Sequence, residues 1–134
     1  MASYVNNSLL GIYKIATVTD INAKTVAATT LYTVPTGSSL IVTNIIIRVT
    51  AFTSGGKTVH VVVTFGGNST DFNDFIATGT YTITANNRVI LNPEYSGAAE
   101  HPLYAAATNF SINITTGSNA TTETWTVDVF GYLI

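Results

Sequence analysis

The stretch TLYTVPTGSSLIVTNIIIRVTAF, residues 30–52, decides how the rest of the sequence is interpreted. A strand-like run meets a break at Pro35 and Gly37, where proline fixes φ and glycine permits a positive φ. A second run then alternates between two faces. One face holds Leu40, Val42, Asn44, Ile46, Arg48, Thr50 and Phe52, and the other holds Ile41, Thr43, Ile45, Ile47, Val49 and Ala51. We predict that the second face is core, although the first is also apolar at its start.

The apolar start of the first face has three explanations in so small a chain. The first explanation is that a loop covers it, as long connections often do at the ends of sandwiches. The second is that it forms an interface between copies of the protein, because contiguous apolar surface is rarely left bare on a monomer. The third is that it lines a groove for a small ligand. Arg48 lies on the same face and needs a partner such as Asp128 or a backbone carbonyl, because an unpaired buried guanidinium is costly.

Composition limits the chain to one small domain with a weakly charged surface. Its 134 residues suffice for one hydrophobic core, and 9% of them are charged, against about 25% in an average soluble domain. The net charge of -2 supplies no basic field for nucleic acid or for an anionic membrane, so neither is an expected partner. We predict an N-terminal arm at residues 1–10 and a single β-sandwich domain at residues 11–134.

The sequence contains no cysteine, which removes disulfides and thiolate chemistry. Its first residues lack the positive charge and the long apolar run of a secretion signal. We therefore expect a protein that is synthesised in the cytoplasm.

Strand-forming residues dominate the sequence, because threonine, valine, isoleucine and tyrosine suit a pleated, half-buried surface. The predicted strands cover residues 12–19, 26–34, 39–52, 57–65, 72–76, 80–84, 88–91, 104–116 and 122–133. Strands at roughly ten-residue spacing without helices between them predict an all-β antiparallel sandwich. Eight or nine strands fit a jelly roll best, and an immunoglobulin-like sandwich is the alternative.

Three segments alternate clearly enough to assign an inward face. The inward sets are Phe110, Ile112 and Ile114; Trp125, Val127 and Val129; and Val59, Val61, Val63 and Phe65. We expect the first two of these segments to pair with each other. Phe130 and Tyr132 then give the last strand an aromatic outer side near its end.

No residue pattern typical of catalysis is present, since the nucleophile-elbow, P-loop and zinc-protease motifs are all missing. His60 and His101 are isolated in sequence, and Glu100 points away from His101 in an extended chain. The cluster DFNDF, residues 71–75, lacks the spacing of a calcium loop, so we expect a turn or capping role for it. We predict no enzymatic activity, no catalytic residue, no metal site and no cofactor.

Two sets of residues are candidates for contacts with other molecules. The candidates for an oligomer interface are Ile46, Arg48, Phe130 and Tyr132. The candidates for contact with a ligand or partner are Tyr81, Tyr95 and Tyr104. Tyrosines can stack on sugar rings or anchor a protein interface at small entropic cost, and ordinary packing at a sandwich edge is the alternative.

The run LYTVPTGSSLIVTNIIIRVT, residues 31–50, resembles a pattern found in small structural proteins of tailed bacteriophage virions. In that pattern a Leu-Tyr-x-Val-Pro-x-Gly corner precedes an apolar strand of the Val-Thr-x-Ile type. The matching residues are Leu31, Tyr32, Val34, Pro35, Gly37, Val42, Thr43 and Ile45. The pattern often has asparagine after that strand, where this chain has Arg48 and Thr50.

The resemblance implies a β-sandwich virion component, such as a capsid decoration protein or a tail or fibre module. Such a protein would form a homo-oligomer, with a trimer favoured, would contact other virion proteins, and would be synthesised in the host cytoplasm. The alternative is a carbohydrate-binding or receptor-binding module that contacts a host glycan. Under the first hypothesis, the N-terminal arm drapes over a neighbouring molecule.

Overall fold

The computed structural model describes residues 13–82, 88–92 and 102–134. Eight strands and no helix lie in these ranges, so the predicted all-β class is confirmed. The strands are β1 (Tyr13–Asn22), β2 (Ala27–Thr33), β3 (Leu40–Thr53), β4 (Val61–Gly66), β5 (Ile76–Tyr81), β6 (Arg88–Leu91), β7 (Asn109–Thr116) and β8 (Thr122–Leu133). The predicted N-terminal arm, together with Tyr95 and His101, lies outside the described residues.

The strand order is that of a jelly roll. One four-stranded sheet, the front sheet, has the order β1-β8-β3-β6, and the other, the back sheet, has the order β2-β7-β4-β5. Every neighbouring pair is antiparallel. β1 pairs with β8, β2 with β7, β3 with β6 and β4 with β5, as in a long hairpin rolled up into two sheets. The described ranges contain no helix with the length and apolar character needed to cross a membrane.

Two bulges in β3 overturn the predicted division of its faces. The register with β8 shifts between Val42 and Asn44, and again between Val49 and Ala51. Each shift inserts one extra residue into β3, so the side chains beyond it change sides. The core-facing residues are therefore Leu40 and Val42 before the first bulge and Ile45, Ile47 and Val49 after it.

The apolar character of both predicted faces is largely explained by this change of phase. Leu40 and Val42, which made the first face apolar at its start, are completely buried between the sheets. Ile41, predicted to be core, is half-buried on the opposite side, beside Tyr132 of β8. Neither a loop nor a second molecule is needed to cover the start of this strand.

The core between the sheets confirms most of the inward sets. The inward residues of β7, the inward residues of β8, and Val61, Val63 and Phe65 of β4 are all buried. Val59 was predicted to face inward, but it precedes β4 and is 40% exposed. The predicted pairing of β7 with β8 is also wrong, because these strands belong to opposite sheets and pack across the core.

A tight turn and the last residue of the chain lie together at one end of the sandwich. At one end, which we call the corner end, a turn carries a hydrogen bond from the Ser38 N–H to the Pro35 carbonyl. Gly37 occupies its third position with φ +79°, as a type II turn requires. The same end holds Ile134, which exchanges two backbone hydrogen bonds with Ser39. Tyr104, predicted to begin a strand, instead forms an isolated bridge to Leu40 there.

Candidate interaction surface

The solvent-facing side of the front sheet, which we call the front face, collects all four residues predicted to lie at an oligomer interface. β8 sets its geometry, because residues along a strand alternate between the two sides of a sheet. Val127 and Val129 face the core, so Phe130 and Tyr132 lie on the front face, where both are half-buried.

The register extends the front face over the neighbouring strands, because directly opposed residues share one side of a sheet. From the corner end, four rows cross it: Tyr132 and Ile41; Lys14, Phe130 and Asn44; Thr17, Asp128, Ile46 and Ile90; and Thr126, Arg48 and Arg88. The first three rows contain apolar or aromatic side chains, and the last contains two cations. The structure thus brings the four predicted residues together.

The edge of the third row carries the most exposed apolar side chain of the front face. Ile90 of β6 is 60% exposed and lies directly opposite Ile46. Neither Ile90 nor Arg88 was a predicted site residue, because a four-residue strand contains too little alternation to assign its faces. Their register against β3 identifies them.

Asp128 is the centre of a polar cluster on the front face. The Arg48 guanidinium contacts it with two nitrogens, Nε at 2.9 Å from Oδ2 and Nη2 at 3.3 Å from Oδ1. The Thr17 hydroxyl donates to Oδ1 at 2.8 Å, and Lys14 Nζ lies 4.0 Å away. Of the two kinds of partner expected for Arg48, a carboxylate such as Asp128 or a backbone carbonyl, the structure shows Asp128. Burial alone would raise the pKa of Asp128, but the hydrogen bonds from Arg48 and Thr17 outweigh it and hold this pKa below its ordinary value.

The front face is cationic although the chain is not. Lys14, Arg48 and Arg88 are three of the five basic residues of the chain, and Asp128 is the one carboxylate in the four rows. The rows therefore carry a net charge of +2, and the remaining residues must together carry -4 to give the total of -2. Arg48 and Arg88 are directly opposed across β3 and β6, and like charges in that position repel each other.

A second ion pair, which sequence reasoning missed, is buried at the end of the sandwich opposite the corner end. Lys57 Nζ lies 2.7 Å from Glu123 Oε2, and their side chains are only 6% and 0% exposed. The indole N–H of Trp125 donates to the other carboxylate oxygen, and Lys57 also lies over the Phe52 ring. Glu123 is in phase with Trp125 and Val127 on the core side of β8. An acidic residue on the core side of a strand indicates a buried partner, and this signal was present in the sequence.

Two of the three tyrosines predicted to contact a ligand or partner lie in the described residues, and they differ in burial. Tyr104 is 4% exposed, stacks edge-on against Phe110, and donates from its hydroxyl to Asp74 Oδ1. Burial raises its pKa above the ordinary value, and the nearby Asp74 carboxylate adds to this effect. The exposed position that the sequence suggested for Tyr104 is therefore not observed. Tyr81 is half-buried against the core at the edge of the back sheet.

The acidic cluster of residues 71–75 forms a braced turn between β4 and β5, in agreement with the turn role predicted for it, whereas the strand predicted at residues 72–76 is wrong because β5 begins only at Ile76. The Asn68 side chain accepts a hydrogen bond from the Asn73 N–H and donates one to the Asn73 side chain, both at 2.7 Å. Asp74 Oδ1 accepts from the Gly67 N–H. Asp71 is exposed, and only its backbone carbonyl is engaged, by the Thr64 hydroxyl.

Two further absences apply to the described part of the chain. No pocket is present there, and no group of three or more histidine or carboxylate side chains could hold a metal ion. His60 lies just before β4, and its buried Nδ1 has no hydrogen-bond partner among the described residues.

Comparison with known proteins finds similarity of fold. No protein family model matches the chain, and no curated protein matches it. A chain in the acidic stable capsid structure of Helicobacter pylori bacteriophage KHP30 superimposes with a TM-score of 0.54 at 10% sequence identity. The match covers 92% of this chain and 94% of that chain. Both chains thus share one architecture over nearly their whole lengths.

Proposed function

We propose that the protein is a non-enzymatic structural component of a bacteriophage virion that assembles with copies of itself through the front face. The front face is the observation that carries this proposal. Its half-buried apolar and aromatic side chains occupy adjacent rows, and Ile90 extends the apolar area to the sheet edge. Contiguous apolar surface of this kind is typical of protein interfaces.

The fold supports a location in the virion. The similar structure is that of a phage capsid, and the match spans nearly all of both chains. Jelly rolls are common in viral capsids, although the same fold also serves other functions. Together with the sequence resemblance at residues 31–50, the likeness favours a particle component over a free host-cell protein.

At a finer level, we propose that the protein is of the capsid decoration type: it is synthesised in the host cytoplasm, forms a ring of copies such as a trimer, and docks on the particle. A low content of charged residues, 9% of the chain, suits this function because copies can approach one another with little long-range repulsion. The N-terminal segment, residues 1–10, is proposed to contact a neighbouring molecule.

A glycan-binding function receives less support from the described residues. Of the three tyrosines considered for it, Tyr104 is committed to the core and to Asp74. Tyr81 is partly packed against the same core. The arrangement expected of a sugar platform, with exposed rings side by side, is therefore not seen for this pair.

The virion proposal is tested on purified particles of the phage that encodes the chain. Quantitative mass spectrometry should find the protein at a fixed number of copies per particle after density-gradient purification. Recombinant protein should rebind particles from which it has been removed, and a glycan array should remain negative. Absence from purified particles, with the protein confined to the soluble lysate, would contradict the proposal.

A further inference from the structure

We propose that the self-association is head-to-tail: the cationic row of the front face on one copy binds the acidic β4–β5 turn of the next, with Arg88 pairing with Asp71. This inference rests on the proposed function, because it specifies how copies of the chain meet. The pairing of the charged groups in the described residues supports it.

Among the residues that the structure describes, every cation except Arg88 has a polar partner. Lys57 binds Glu123, and Arg48 and Lys14 share Asp128. Lys24 donates to the Thr121 carbonyl. Arg88 is exposed and lies beside the like charge of Arg48. It therefore gains most from a carboxylate supplied from outside the chain.

Among the carboxylates in these ranges, as among the cations, all but one have a partner. Glu123 and Asp128 are paired, Asp74 accepts from Gly67 and Tyr104, and Asp20 accepts from the Thr19 hydroxyl. The Asp71 carboxylate alone has no such partner in the described part of the chain. Its turn is braced by the bonds of Asn68 and Asn73, so the carboxylate is presented on a preorganised support.

The two groups are too far apart to pair within one molecule. Arg88 lies opposite Arg48, eight residues along β3 from Leu40, which corresponds to about 26 Å at the rise of a strand. Leu40 is bridged to Tyr104, whose hydroxyl binds Asp74 in the acidic turn. The same turn holds Asp71, whose carbonyl binds Thr64 of β4, so Asp71 lies on the back sheet towards the corner end, and Arg88 lies on the front sheet well away from it. Pairing needs a second copy.

Charge also argues against a symmetric contact of two front faces. Such a contact would bring two surfaces of net charge +2 together, and their one carboxylate, Asp128, already serves Arg48, Thr17 and Lys14. Desolvating unpaired cations in this way is costly. A contact between the front face and the acidic turn instead brings opposite charges together. Because it uses two different patches, the contact can repeat from copy to copy, and it closes a ring when the rotation between successive copies closes.

The test is a charge swap followed by sedimentation velocity on the full chain. Arg88→Glu and Asp71→Arg should each weaken self-association about tenfold or more, because each places like charges in contact. Combining both changes in one chain should restore association. In an equimolar mixture of the two single variants, every contact between unlike chains is matched, so association should recover in part; a ring with an odd number of copies keeps at least one mismatched contact between like chains. Lys24→Glu, with the same change of charge outside the front face, is the control and should associate like the wild type.

The outcomes separate this inference from the proposed function. If the wild type associates but neither single variant is weakened, or if neither the double variant nor the mixture recovers, the head-to-tail contact is wrong and self-assembly stands. If Arg88→Glu still self-associates and loses binding only to the particle, an acidic site on another virion protein is the partner of Arg88 and the inference is wrong. If the wild type is a monomer at every concentration, the proposed self-assembly itself fails. Circular dichroism spectra matching the wild type establish that each variant is folded.

Discussion

β8 carries an acidic residue on each of its two sides, and each of these residues forms an ion pair, one buried and one partly exposed. On the core side, Glu123 is fully buried with Lys57, next to the buried indole of Trp125. On the front face, Asp128 is paired with Arg48, whose side chain is 44% exposed. Both cations come from β3 or from the connection that follows it. One strand thus holds one ion pair that is sealed inside the fold and one that is open to water.

The difference indicates which property each side controls. A buried pair cannot lose one partner without leaving an uncompensated charge, whereas an open pair is screened by solvent. We therefore expect changes on the core side to alter the free energy of unfolding, and changes on the front face to alter association.

Trp125→Ala should have the largest effect on the free energy of unfolding. The indole is fully buried, and its N–H satisfies one oxygen of Glu123. We expect a loss of about 3 to 5 kcal/mol from the cavity and from the lost hydrogen bond. Urea denaturation followed by circular dichroism measures it, at concentrations too low for association to contribute. A loss below about 1 kcal/mol would show that the core side is less tightly packed than described.

Lys57→Met should destabilise the fold by about 3 kcal/mol, the lower end of the range for a broken buried pair. The lower end is expected because the Trp125 N–H still donates to Glu123. Adding Glu123→Gln should recover most of the loss, because no buried charge then remains. Urea denaturation followed by Trp125 fluorescence compares the three proteins. A double variant as unstable as Lys57→Met alone would assign the effect to packing rather than to charge.

Asp128→Asn should cost about 1 kcal/mol or less, because the side chain of its partner Arg48 is 44% exposed and solvent screens the pair. The effect should depend on pH. The folded-state pKa of Asp128 is lowered, so its stabilisation is fully present above the unfolded-state value of about 3.9 and is lost as the pH falls through the folded-state pKa. The stability difference between wild type and variant should therefore shrink in acid. A difference that is constant down to the acid transition would contradict this.

Ile90→Asp should have the smallest effect on folding, within about 0.5 kcal/mol, because the side chain is an exposed surface residue. Its effect should appear in association instead. Val26→Asp is the matched control, since Val26 is 65% exposed and lies in the turn before β2, outside the front face. If both variants unfold alike and associate alike, the front face is no more an interface than any other surface.

The sequence predicted the fold class well because alternation survives wherever a strand is regular. In β8 the predicted boundaries and the inward residues agree with the structure, and Asp128 was one of the two kinds of partner expected for Arg48. Where a strand contains a bulge, alternation misleads. Thr43 and Thr50 are the extra residues in β3, and β-branched residues occur in regular strands as readily as in bulges. The assignment of core residues in β3 was therefore right between the two bulges, at Ile45, Ile47 and Val49, and wrong before the first bulge.

The surface was predicted less completely than the fold. Ile46, Arg48, Phe130 and Tyr132 do share one face, but part of the original reason, the apolar start of β3, belongs to the core. Arg88 and Ile90 could be assigned to the front face only from the register of β6 against β3. Register between distant strands is set by tertiary packing, which no local pattern contains.

Sedimentation velocity of the wild-type chain, from nanomolar to high micromolar concentration at physiological salt, tests the central claim most directly. The account predicts a concentration-dependent shift from monomer to one defined oligomer. It also predicts that Ile90→Asp remains monomeric where Val26→Asp assembles like the wild type. A wild type that remains monomeric throughout, or an Ile90→Asp variant that assembles as the wild type does, would contradict the account.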